Sequence, residues 1–171
     1  MITVVMAENS TTLYLDGQEA EVQTEEVMPL DGIITATSKF MIGKANWEGG
    51  EYYTGLIDDF TIFDGALSEA QVKAYYDETL VAEGDTQPKP LAVYDFENGL
   101  GEGVSQVVSG TKGSTPAAYT GEAVFAEGRP AQDGQAAGKA VKVGGPKNQK
   151  DGYGLKLNHT NLGTEYTASM W

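Results

Sequence analysis

Apolar and polar positions alternate along most of this chain in short runs, the period-2 signature of extended strands. Ile2–Met6 is one such run, Glu8-Asn9-Ser10 reads as a turn, and Thr12–Leu15 is the returning run. Asp16-Gly17 then separates Leu13-Tyr14-Leu15 from Glu19–Gln23. A two-residue type I′ hairpin needs positive φ at both central residues, and Asp-Gly is a favoured pair for it, so a second hairpin is expected here. Within residues 24–50 the clearest strand is Phe40-Met41-Ile42-Gly43. Glu51–Phe63 reads as one long strand, with Leu56, Asp58, Phe60 and Ile62 on one face and Ile57, Asp59, Thr61 and Phe63 on the other. Neither face is purely polar, which suits a strand inside a two-layer sandwich.

The period changes once. Ser68-Glu69-Ala70-Gln71 has the form of a capping box, with Ser68 at the N-cap and Gln71 three residues on. Val72, Tyr75 and Tyr76 follow at i, i+3 and i+4, which predicts a helix running to about Glu78 with one apolar stripe. Residues 81–90 are polar, aperiodic and carry Gly and two prolines, the chemistry of a linker. Leu91–Glu97 restarts the strand pattern. Loop-rich sequence comes next, then short strands at Gly121–Phe125, Ala140–Val143, Gly154–Leu157 and Tyr166–Trp171. No internal repeat relates the segments before and after the linker.

Composition narrows the function classes. The 22 glycines and the frequent turn residues support an all-β architecture. The 25 acidic residues against 11 basic ones give a net charge of −14, which repels phosphate backbones and anionic lipid, so neither nucleic-acid binding nor membrane insertion is expected. Acidity is compatible with binding a hard cation, and equally with plain solubility. The chain has no cysteine, which excludes disulfides, thiolate zinc sites and cysteine nucleophiles, and it has one histidine, His159, with nothing around it to build a triad or a zinc cluster. No segment is long and apolar enough for a membrane span. Met1 leads directly into Ile2-Thr3-Val4-Val5-Met6 without the features of a signal peptide, and the sequence stops at Ser169-Met170-Trp171 inside a strand pattern. The expectation is a segment of a longer protein.

Gly55–Val72 resembles the closing signature of laminin-G-like domains of the concanavalin A-like superfamily, in which a G-x-I-D-D/E-x-x-I-Y strand runs into A-L-S-x-x-E/Q-I/V and a short helix. Ile2–Gly17 resembles the family's upstream hairpin, and Phe40–Gly43 one of its strands. Leu91–Asn98, Gly138–Val143, Tyr153–Leu157 and Tyr166–Trp171 resemble strands that open such a domain, although Gly144-Gly145 departs from the usual Asp/Gly ending. The family order is thus inverted: residues 1–80 look like a closing half, 81–90 a linker, 91–171 an opening half, with the middle strands missing. Either the chain is a window across two tandem modules, or its halves dock as a circular permutant.

The resemblance implies an antiparallel β-sandwich of jelly-roll type with one short helix. It also implies a non-catalytic module that binds carbohydrate or a surface partner within a larger secreted, extracellular or cell-surface, multidomain protein. A protein-binding or adhesive spacer is the alternative, and a glycoside hydrolase the third reading. Hydrolases on this fold carry an E-x-D-x-E strand with carboxylates ~5–5.5 Å apart in the retaining case, and Asp95-Phe96-Glu97 is only a fragment of that pattern. The resemblance makes Asp95, Glu97 and Asp58 or Asp59 candidate ligands of a structural calcium ion, with carbonyls and water completing its ~6–8 oxygens; capping carboxylates are the alternative. Trp47, flanked by Asn46 and Glu48 in a loop-like stretch, is the candidate sugar platform, since a pyranose face can lie on a flat ring while polar neighbours bind its hydroxyls; packing on the sandwich edge is the alternative. Tyr52, Tyr53 and Trp171 are expected in the core. Missing strands would expose sheet edges and invite dimerisation.

Overall fold

The structure is a computed structural model and describes residues 1–8, 10–22, 40–44, 53–80, 87–100, 104–110, 117–119, 123–129, 137–144, 152–157, 162 and 164–171. In chain order its elements are β1 (Ile2–Ala7), β2 (Ser10–Leu15), β3 (Gln18–Glu19), β4 (Phe40–Ile42), β5 (Gly55–Ile57), β6 (Phe60–Phe63), α1 (Glu69–Tyr76), β7 (Pro90–Tyr94), β8 (Val104–Gly110), β9 (Ala117–Tyr119), β10 (Phe125–Glu127), β11 (Lys139–Val143), β12 (Gly152–Leu157) and β13 (Tyr166–Met170). They form three sheets, ordered β3-β2-β1-β13-β6-β7, β4-β12-β8-β9 and β10-β11-β5. The fold class is the expected one: all-β, an antiparallel sandwich with a single helix among the described residues. Every sheet takes strands from both sides of residues 81–90.

Two compact units divide these elements. One holds the six-stranded sheet and α1, with β7 belonging to it through Val93; the other holds the four- and three-stranded sheets. In the first unit, β1 and β2 pair from Ile2↔Leu15 to Ala7↔Ser10, and Leu15↔Gln18 closes the next hairpin around Asp16 and Gly17. Both turn residues have positive φ, 50° and 75°, as the type I′ geometry demands. A Cβ on Gly17 would also meet the Tyr76 Cβ at 3.0 Å and its ring at 3.2 Å, so helix packing adds to the demand for glycine there.

The capping box forms reciprocally. The Ser68 N–H donates to Gln71 Oε1 at 2.8 Å and the Gln71 N–H to Ser68 Oγ at 3.4 Å. Val72, fully buried, packs with Val5, Tyr14, Phe63 and Leu67 against one face of the sheet, bordered by Ala66, Tyr75 and Leu80. The same face carries buried hydroxyls. Thr3 and Ser169 bond each other at 2.8 Å, and the Tyr75 hydroxyl donates to Thr61 Oγ1 at 2.8 Å.

The structure corrects several expectations. Glu51–Phe63 is not one strand: Asp59 has φ 45°, which breaks the alternation, so β5 and β6 join different sheets and Phe60–Phe63 are buried on both sides. The strand from Leu91 ends at Tyr94, because buried Phe96 takes φ 57°. Residues 104–110 and 117–119, within the stretch read as loops, form β8 and β9. Of the strand expected at Gly121–Phe125, residues 121 and 122 lie outside the described residues, 123 and 124 are not in a strand, and β10 takes Phe125–Glu127. Tyr53, expected in the core, is 56% exposed.

Candidate functional site

Three of the four carboxylates singled out in the sequence, Asp58, Asp95 and Glu97, lie in the second unit, each bonded to backbone. Asp58 leaves the end of β5 and is buried; its Oδ2 accepts the Arg129 N–H at 3.0 Å. Asp95 and Glu97 follow β7 in a turn, where Asp95 Oδ1 accepts the Glu97 N–H at 3.2 Å. Glu97 Oε1 in turn accepts the Lys139 N–H at 2.7 Å, while the Lys139 ammonium donates to the Glu97 carbonyl at 3.0 Å.

Two glycines let this network close. A Cβ on Gly138 would sit 2.0 Å from Glu97 Oε1, and one on Gly128 would sit 2.3 Å from Asp58 Oδ2. The Gly128 N–H donates to the Gly138 carbonyl at 2.8 Å, so the two carboxylates approach neighbouring backbone from separate segments. The arrangement ties the turn at Asp95–Glu97 to the start of β11. Because Phe96 is left-handed, Asp95 and Glu97 do not present the shared strand face that the sequence suggested.

As oxygen donors these residues suit a hard cation by chemistry. By grouping, among the described residues no three His, Cys, Asp or Glu side chains are placed to hold a metal ion together. Asp59 belongs to the other compact unit. Trp47, Asn46 and Glu48 lie outside the described residues.

Two further features were not read as functional from sequence. Tyr53, just ahead of β5, offers an exposed ring whose hydroxyl edge lies over Gly55, where a Cβ would meet the Tyr53 hydroxyl at 2.6 Å. Its exposure is set by where the chain enters β5, which the pattern of neighbours does not encode. In the first unit, a shallow polar cleft of about 580 Å³ lies where β6 turns into α1, lined by Asp64, Ser68, Gln71, Gln87 and Glu165 over Leu67 and Pro88. Asp64 anchors one side of the cleft, accepting the Lys89 N–H on Oδ1 at 2.6 Å and donating its own N–H to the Lys89 carbonyl at 3.0 Å.

The described residues form antiparallel sheets with one helix, an all-β arrangement consistent with a concanavalin A-like sandwich. Residues 1–73 match the family model described as the concanavalin A-like lectin/glucanases superfamily, in its laminin-G-like form. Over those residues the chain is similar to laminin-G-like domains of that superfamily. No curated protein and no solved structure matches the chain significantly.

Proposed function

We propose that this chain is a non-catalytic module that binds carbohydrate, or a surface bearing it, as an accessory part of a larger secreted multidomain protein. The observation that carries this reading is the use of the carboxylates within a lectin/glucanase fold. Asp58, Asp95 and Glu97 accept backbone N–H groups at 3.0, 3.2 and 2.7 Å and so stabilise turns. An acid and a nucleophile would instead face each other across a glycosidic bond.

Binding on this reading uses aromatic platforms and hydrogen-bonding rims, Trp47 with Asn46 and Glu48, and exposed Tyr53. A structural calcium ion is part of the proposal: one or two of Asp58, Asp95 and Glu97 supply side-chain oxygens, with carbonyls and water providing the rest of its ~6–8 ligands. The test is retention on insoluble polysaccharides and on glycan arrays, with Trp47→Ala and Tyr53→Ala beside the parent chain. Retention lost in either variant supports the lectin-like reading. Glycosidic turnover abolished by Glu97→Gln would overturn it. A melting midpoint that is the same in calcium and in EDTA would remove the ion and leave the rest standing.

A second reading, a protein-binding spacer, has its own observation. The strand β7 ends the six-stranded order and leaves Leu91 and Val93 47% and 57% exposed. Retention on protein but on no glycan would favour it.

A further inference from the structure

The strand β13 fills a slot between β1 and β6, and the slot reads it at alternate positions. Its register runs from Ile2↔Met170 to Met6↔Tyr166 on one side and from Thr167↔Phe63 to Ser169↔Thr61 on the other. Thr167, fully buried, accepts the Leu67 N–H on Oγ1 at 2.9 Å and donates to the Gly65 carbonyl at 2.9 Å. Two residues on, buried Ser169 bonds Thr3. Two further on, Trp171 stacks on Tyr76 of α1, with ring centroids 5.4 Å apart and planes inclined by 23°. Three different elements thus recognise one extended segment through hydroxyl, hydroxyl and indole, spaced by two residues.

The connectivity makes this segment exchangeable. Between β7 and β13 the chain belongs to the other compact unit, so β13 returns to its sheet only after a separate body has been built. Within the sheet it is held by pairing and side-chain contacts, all of which another copy's strand reproduces identically. Exchange of one element between identical chains is a low-cost route to dimers. Addition of a strand through main-chain bonds with side-chain pockets at alternate positions is a recurring recognition mode.

We propose that the β1–β6 slot is a strand-acceptor site, and that two copies of this chain exchange residues 166–171 through it. The exchanged dimer is bivalent for whatever the module binds, and the proposal stands whether or not that ligand is a glycan. The net charge of −14 per chain opposes the encounter of two copies, so exchange rises with ionic strength as the repulsion is screened.

Cysteine pairs placed across β1 and β13 test this directly, because the chain has no thiol of its own. Val4 faces Ala168 in the register, and directly opposed Cβ atoms about 4.5–5.5 Å apart lie at the edge of disulfide reach. In dilute solution the double variant Val4→Cys/Ala168→Cys closes an intramolecular disulfide, which establishes the fold and register in the variant background. The single variants Val4→Cys and Ala168→Cys, one of them isotope-labelled, are then mixed at high concentration under mild oxidation. The expected product is a mixed disulfide dimer, roughly tenfold above that from Thr11→Cys with Ala168→Cys, since Thr11 lies on β2, away from the slot. Its yield rises with salt and falls when Thr167→Val is added to the donor. No mixed dimer, a yield equal to the Thr11 control, or a double variant that fails to close would each overturn the proposal.

Discussion

Replacing Thr167 by valine tests whether the buried hydroxyls of the six-stranded sheet stabilise it. The two side chains are nearly isosteric, so packing barely changes and only the hydroxyl is lost. Two backbone groups remain behind: the Leu67 N–H, on a residue only 3% exposed, and the Gly65 carbonyl, on a half-buried one. A buried group left without its partner costs about 1–3 kcal/mol. The N–H takes the upper part of that range and the carbonyl, with a second lone pair and access to water, the lower part. The added methyl returns about 0.8 kcal/mol, so the net loss is about 2–4 kcal/mol. Thr167→Ser keeps both bonds and removes one buried methyl, a loss of about 1 kcal/mol. Urea unfolding followed by far-UV circular dichroism reads both variants, with slopes expected to match the parent. A valine variant as stable as the serine variant would refute the reasoning, because the hydroxyl would then contribute nothing beyond its methyl.

The same hydroxyls explain why β13 sits in one register. Slipping a strand by one residue turns every side chain to the opposite face. Here the slip would move Thr167 and Ser169 away from the Leu67 N–H and Thr3, leaving those groups unpaired under α1.

Other perturbations follow from single contacts. Ser68→Ala removes the acceptor of the Gln71 N–H and should cost about 0.5–2 kcal/mol, read as a lower urea midpoint; an unchanged midpoint would mean the box is already satisfied by water. Gly138→Ala drives a Cβ into Glu97 Oε1 and should cost about 1–3 kcal/mol by breaking its bond to Lys139, whereas Glu97→Gln keeps an acceptor there and should cost less. Burial pushes the Tyr14, Tyr94 and Tyr166 phenols above 10, with Glu19 and then Glu69 adding to the effect at Tyr14. Above pH 10 the unfolded chain therefore loses these protons first, so stability is flat below about pH 10 and falls as pH rises toward the folded values. Tyr94→Phe should make that alkaline fall shallower by up to about 1.4 kcal/mol per pH unit, and an unchanged slope would count against its burial as the cause.

What could be read from the sequence was what depends on a few adjacent residues. Asp16-Gly17 specified its turn because both residues must take positive φ, and Ser68 with Gln71 specified the helix start because each satisfies the other's backbone. The family resemblance drew on the same local material, and residues 1–73 match the superfamily. The strand Val104–Gly110 escaped notice because Val-Ser-Gln-Val-Val-Ser-Gly fits neither alternation cleanly, and pairing with β12 and β9 decides it. Left-handed Phe96 was equally hidden, since nothing in its side chain asks for positive φ, and Asp59, of a type that tolerates it, sits inside a run that alternates like a strand. Those two residues decide how the candidate carboxylates are used. Asp58 and Glu97 looked like members of two strand faces, but each stands beside a backbone reversal that turns it onto a distant N–H and against a glycine. A carboxylate beside a reversal meets backbone before it meets ligand, which is why strand parity alone over-assigns sites in this fold. The partners that correct it, Arg129 and Lys139, are 71 and 42 residues away in the chain.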